Sequence, residues 1–204
     1  TLDFIDILLA IVAIVDFVLS TVIFFNRREN RSSKFFAIAA YSATAWVLSM
    51  FFFRIISNLE ILIVPTKLLY VAGILIAHNL LLFSYRFLNE DEDAISRRVS
   101  VVTTTFTIGA IILIIFSETV IKSVSYIGTS KFVLFGSLYI PYSTLMISYF
   151  VLAYSNFFKR FFASIRTKNI ITTRQLSYVI IGTGLSVLVD LICDIILLMG
   201  IGDW

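Results

Sequence analysis

The sequence predicts an all-α, polytopic bundle of membrane-spanning helices, on three observations. Of 204 residues, 59% are hydrophobic and 14% charged, against about 45–50% and about 25% in ordinary soluble domains. The apolar residues come in runs of about 20, enough to cross a hydrocarbon core of about 30 Å. A soluble core helix would instead show one apolar stripe and one polar face. The charged residues gather in short knots between the runs, and mean hydropathy is +0.99.

Six spans are read in order. The first, 4–25, opens with a nearly unbroken apolar run; it lacks a basic leader and is too long for a cleaved signal peptide. The threonine start is expected to reflect a trimmed front. The second, 35–56, is rich in small residues around Trp46, and Ala39 and Ala43 form a small-xxx-small pair suited to bundle packing or dimerisation. The third, 61–85, contains Pro65, and the fifth, 132–157, contains Pro141; neighbouring helices can satisfy the carbonyls a proline frees. The fourth is 99–116. The sixth, 175–199, holds Gly182-Thr183-Gly184, read as a close-packing point because no strand precedes it and no third glycine follows. Its Cys193, the sole cysteine, forms neither a disulfide nor a zinc site within the chain. The whole of 1–204 is read as one transmembrane domain.

Loop charge gives a direction. Twelve of the sixteen Lys and Arg lie between spans one and two, three and four, or five and six. Arg54, Lys122, Lys131 and Lys67 belong to the other side. By the positive-inside rule the first group is cytoplasmic, so the N-terminus is outside, as is the end of the sixth span. The net charge of +3 is thus a topology signal and requires no nucleic-acid partner. Asn30-Arg31-Ser32 matches the glycosylation triplet but falls on the inner side. The acidic knot 89–93 reads as a solvated turn. Between Phe157 and Arg174, Phe158, Phe161, Phe162 and Ile165 alternate with basic residues, a pattern for a helix continuing past the membrane or lying on an anionic inner leaflet.

Ionisable groups inside spans are costly enough to be functional candidates. They are Asp6, Asp16, Lys67, His78, Asp190 and Asp194. Asp190 and Asp194 are one helical turn apart on one face. Asp194 and Lys67 both lie about 9 Å from the outer ends of their helices at about 1.5 Å per residue, which predicts an ion pair. Tyr139 and Tyr142 overlap them in depth. Asp16, Lys67, Tyr139, Tyr142, Asp190 and Asp194 are therefore expected to line an outward-facing polar cavity between helices one, three, five and six. His78 and Asn79 form a secondary polar pair nearer the inner side. Structural glue between helices, a ligand or ion pocket, and a proton pathway all remain open for these groups. No metal-ligand spacing, Walker loop, HExxH, kinase motif or Ser–His–Asp set is present, so no metal, cofactor or catalytic residue is expected.

Four places carry a family likeness. They are the basic turn 26–31 followed by a small-residue helix with Trp46, and the run Lys67-Leu68-Leu69-Tyr70-Val71-Ala72-Gly73 with its exit Leu82-Phe83-Ser84-Tyr85-Arg86. The other two are Phe135-Gly136-Ser137-Leu138-Tyr139, and Arg174-Gln175-Leu176-Ser177-Tyr178-Val179-Ile180-Ile181-Gly182. In these the chain resembles the N-terminal seven-helix sensor region of bacterial membrane histidine kinases. The resemblance implies a multi-pass protein of the inner (plasma) membrane, often dimeric, passing a signal to a following cytoplasmic kinase or cyclase domain. It also implies a seventh helix leading inward, so the six spans here read as six of seven. The alternative expectation is a six-helix transport subunit binding a small substrate, although transporters usually carry internal repeats that are not evident between these halves. A retinal photoreceptor needs a lysine deep in its last helix, and the sixth span has none.

Overall fold

The computed structural model describes residues 3–26, 31–87, 94–127 and 130–198, with the backbone alone at 31, 94–96, 127, 130 and 186–198. Of the described residues, 84% are helical. In chain order the elements are α1 Phe4–Asn26, α2 Arg31–Ile55, α3 Leu59–Arg86, α4 Ala94–Phe116, β1 Ile121–Ile127, β2 Ser130–Phe135, α5 Tyr139–Arg166 and α6 Ile170–Leu198. Among the described residues four helices, α1 to α4, are long and apolar enough to cross a membrane.

Two corrections to the sequence reading follow. Residues 121–135 form a two-stranded hairpin, so the architecture is not purely helical. The expected fifth span began at Phe132, yet Phe132–Phe135 is strand and the helix starts at Tyr139. Pro141 therefore sits in the first turn of α5, where a missing N–H costs nothing because that donor has no partner inside the helix. At the open end of the hairpin, the Gly136 N–H donates to the Val120 carbonyl at 3.0 Å. A Cβ there would lie 2.2 Å from the Thr119 carbonyl oxygen, so no larger residue fits.

The chain divides into two compact units. The first comprises Thr1–Ile127 and Lys131–Ala153, the second Gly128–Ser130 and Tyr154–Trp204. In the first, α3 is the central element. Every side chain from Ala77 through Ser84 is buried, as befits a helix apolar on all faces. Helix α1 packs on α2 through Asp6, Ala13 and Ser20, each seven residues from the next. Its large apolar residues point outward, with Phe4, Ile14 and Phe17 all more than half exposed. Small groups toward the neighbouring helix and bulky groups outward is the arrangement of a helix bathed in lipid. The span hydroxyls turn inward onto their own backbone: Ser20, Ser42, Ser49 and Thr66 each donate to the carbonyl four residues earlier.

In the second unit, α5 ends in a Schellman motif. Asn169 N–H donates to the Ser164 carbonyl, Lys168 N–H to the Ile165 carbonyl, and Lys168 takes the left-handed φ of 55°. Asn169 Oδ1 then accepts from Thr172 N–H at the start of α6. The aromatic-basic stretch is thus helical to Arg166, and α6 begins five residues ahead of the expected Gln175. The Tyr154 hydroxyl donates to Thr183 Oγ1 at 3.0 Å. Close packing at the glycine pair is found only in part: a Cβ on Gly184 would touch the Tyr154 ring at 3.7 Å, an ordinary contact, while one on Gly182 would meet nothing within 4 Å.

Candidate functional site

Polar groups in the first unit gather in three places. At one end, Asp3 and Asp6 form a reciprocal cap on α1. The Asp6 carboxylate accepts from the Asp3 N–H at 2.9 Å, and Asp6 and Ile7 N–H donate to the Asp3 carbonyl. Arg54 at the end of α2 donates from Nε to Asp6 Oδ1 at 2.7 Å and lies 3.8 Å from Asp3. Asp6, an intramembrane acid on the sequence reading, is therefore a capping and pairing residue at a helix end. Beside it, Lys131 on β2 donates to the carbonyls of Phe53, Arg54 and Ile56 at 2.7–2.8 Å. An ammonium has three protons, and each meets one carbonyl that the end of α2 leaves unpaired. Burial, with the Arg54 charge adding to it and Asp6 opposing, draws the Lys131 amine below the usual lysine range. The Tyr126 hydroxyl on β1 donates to the Ser57 carbonyl at 3.0 Å. The hairpin thereby clamps the α2–α3 turn.

The second place holds three of the expected cavity residues. Lys67 Nζ donates to the Ile115 carbonyl at 2.9 Å and the Ser117 carbonyl at 3.3 Å, capping the C-terminus of α4. One turn along α3, the Tyr70 carbonyl accepts from the Tyr142 hydroxyl at 2.7 Å. Tyr139 stacks on Phe135 at 3.8 Å, and both pack edge-on against the Tyr70 ring. The tyrosines thus form an aromatic patch joining α3, β2 and α5. No described hydrogen bond or ion pair joins Asp16 to this group; its half-buried carboxylate lies on α1, which packs on α2. The side chains of Asp190 and Asp194 lie outside the described residues, and with them the expected Lys67–Asp194 pair.

The third place is at the junction of α3, α4 and α5. His78 is 6% exposed. Its Nε2 lies 3.3 Å from Thr104 Oγ1, and its ring lies 5.9 Å from that of Tyr149. The Tyr149 hydroxyl donates to the Thr103 carbonyl at 2.9 Å and accepts from Thr107 Oγ1 at 3.4 Å. His78 Nδ1 is buried with no partner, the sole side-chain atom in that condition among the described residues. Either tautomer leaves a stranded acceptor or donor. The adjacent Asn79 donates from Nδ2 to the Leu75 carbonyl of its own helix at 2.8 Å. Sequence reasoning named His78 and missed Thr103, Thr104, Thr107 and Tyr149. The threonine-dense run 103–107 inside an apolar span was the available signal.

A groove of about 450 Å³ also opens between α2 and α3. Among the described residues no group of three His, Cys, Asp or Glu is placed to hold a metal ion. Comparison with known protein families, curated proteins and solved structures finds no match to this chain.

Proposed function

We propose that the chain is a membrane-embedded sensory module of a bacterial plasma membrane, with its N-terminus outside and its output carried by a following cytoplasmic domain. The observation that carries this reading is the unpartnered His78 nitrogen at a three-helix junction whose other polar atoms are paired. A stranded buried polar atom costs about 1–3 kcal/mol. A second packing that gives Nδ1 a partner would therefore lie within a few kcal/mol of this one. That gap is small enough for a ligand or a change in the membrane to reverse through its differential affinity for the two states. The clamped end of the first unit supports the same reading, because Arg54, Asp6 and Lys131 fix one end of the helices while the interior retains a choice. Under the proposed topology that clamp faces outward, and six visible spans are part of a seven-helix input region.

The test uses the intact gene product in its own membrane. A signalling domain encoded in frame after Trp204 is expected. H78F and T104V, inserted at wild-type levels, should each shift the resting output and its response. Unchanged output in both variants would overturn the switch. An ATPase subunit co-purifying in fixed ratio, with no signalling domain in frame, would instead establish the transport alternative.

A further inference from the structure

The groove between α2 and α3 has apolar walls, among them Ile38, Ala45 and Phe52 on one side and Pro65, Val71 and Leu75 on the other. Its few hydroxyls are already committed. Ser42 donates to the Ile38 carbonyl at 2.8 Å, Ser49 to the Ala45 carbonyl at 2.7 Å, and Tyr41 to Thr21 Oγ1 at 2.9 Å. With no donor left to greet a polar molecule and none to hold water, the space suits hydrocarbon. At about 450 Å³ it is within the usual size of small-molecule sites.

One end of the groove is marked by charge. Lys34 stands one helical turn before Ile38 on the same face of α2, and it is exposed. Arg86 ends the antiparallel α3 at this level: its carbonyl accepts from Ser32 Oγ at 2.7 Å, and its guanidinium lies 4.7 Å above the Phe35 ring. Between the basic end and the groove, Phe36 and Phe83 close the helices together with ring centroids 5.2 Å apart. An apolar trough beginning about 5–6 Å above a cation, one turn of helix, reproduces the order of a phospholipid: phosphate, then acyl chain. Charge complementarity excludes a neutral occupant as the preferred one, because each Lys or Arg at a leaflet surface favours anionic over neutral headgroups.

We infer that the α2–α3 groove binds one acyl chain of an anionic glycerophospholipid whose phosphate rests against Lys34. The site rests on the membrane-spanning reading of α2 and α3 and is independent of the sensory reading. In the test, the full chain is reconstituted in vesicles of equal phosphatidylglycerol and phosphatidylcholine, extracted in mild detergent and weighed by native mass spectrometry. The wild type should retain one phosphatidylglycerol. K34Q should lower the retained ratio of phosphatidylglycerol to phosphatidylcholine by about fivefold, the contribution of one surface lysine. A45F, at an exposed position on the groove wall, should abolish retention of both lipids while keeping the helical circular dichroism spectrum. Equal retention by wild type, K34Q and A45F would overturn the site. So would disulfide-linked A45C dimers that carry no lipid, which would give the groove to a second copy. Protein that withstands carbonate extraction but retains lipid without selectivity overturns the site and leaves the membrane assignment standing.

Discussion

His78 and Lys131 show how differently a buried and a half-buried polar side chain can stand. His78 has one weak partner at 3.3 Å and one bare nitrogen, so an apolar ring of similar size should remove a penalty rather than a contribution. H78F is expected to raise the thermal unfolding midpoint in detergent, with a gain of about 1 kcal/mol, because deleting an unsatisfied group can be neutral or stabilising. A midpoint lowered by H78F would show that Nδ1 has a partner in solution. Lys131 is the opposite case. K131M strands three carbonyls and should cost about 2–3 kcal/mol, the range for charge-assisted hydrogen bonds, read as a lower unfolding midpoint. Its pH dependence has a definite sign. The folded-state pKa lies below the unfolded 10.5, so the cost of burying the charge is fully present below the folded value. That cost disappears as pH rises toward 10.5. Wild type should therefore gain stability across that alkaline interval, and K131M should not, as equilibrium unfolding at several alkaline pH values would show. The sequence made His78 visible because histidine is rare in an apolar run. The role of Lys131 was not visible, since it depends on a hairpin bringing residue 131 to carbonyls more than 70 residues earlier.

Element boundaries followed sequence where hydropathy changes sharply and departed from it where turn chemistry decides. The first four helices begin and end within a few residues of the apolar runs, because the same surface that enters lipid defines the run. The hairpin escaped notice because Phe132-Val133-Leu134-Phe135 is as apolar as a span, and short apolar runs do not separate strand from helix by periodicity. Gly136, crowded by the Glu118 and Thr119 backbone at the open end of the hairpin, was the clue. The end of α5 offers a test of this level. Lys168 holds a left-handed φ of 55° at the position where Schellman motifs ordinarily place glycine. A side chain there is strained by about 1–2 kcal/mol, less the greater unfolded freedom of glycine. K168G should therefore stabilise the second unit by up to about 1 kcal/mol and slow amide exchange at Asn169 and at position 168. Faster exchange at those two amides would mean the lysine makes a contact worth more than its strain.

For the molecule as a whole, apolar length and loop charge carry different information. The four apolar helices support a membrane protein without saying which end of each faces the cytoplasm. Within the first unit, contacts set α1 to α4 in alternating directions. The start of α1 meets the end of α2 through Asp6 and Arg54, the start of α2 meets the end of α3 through Ser32 and Arg86, and the start of α3 meets the end of α4 through Lys67. An alternating set has only two orientations in a bilayer, and the positive-inside rule leads us to expect the one that turns inward the seven basic residues at the α1–α2 and α3–α4 ends rather than the four on the other side. The expected result follows for single-cysteine variants built on C193S. A membrane-impermeant maleimide applied to intact spheroplasts should label K122C on the hairpin and S57C at the α2–α3 turn. It should reach S33C at the start of α2 only after the membrane is opened. The hairpin clamp makes S57C and K122C a linked pair, since Tyr126 and Lys131 hold that turn, so labelling of one without the other would contradict the fold itself. Labelling of S33C alone in intact spheroplasts would invert the topology, place the clamp in the cytoplasm, and remove the outward-facing input on which the sensory reading depends.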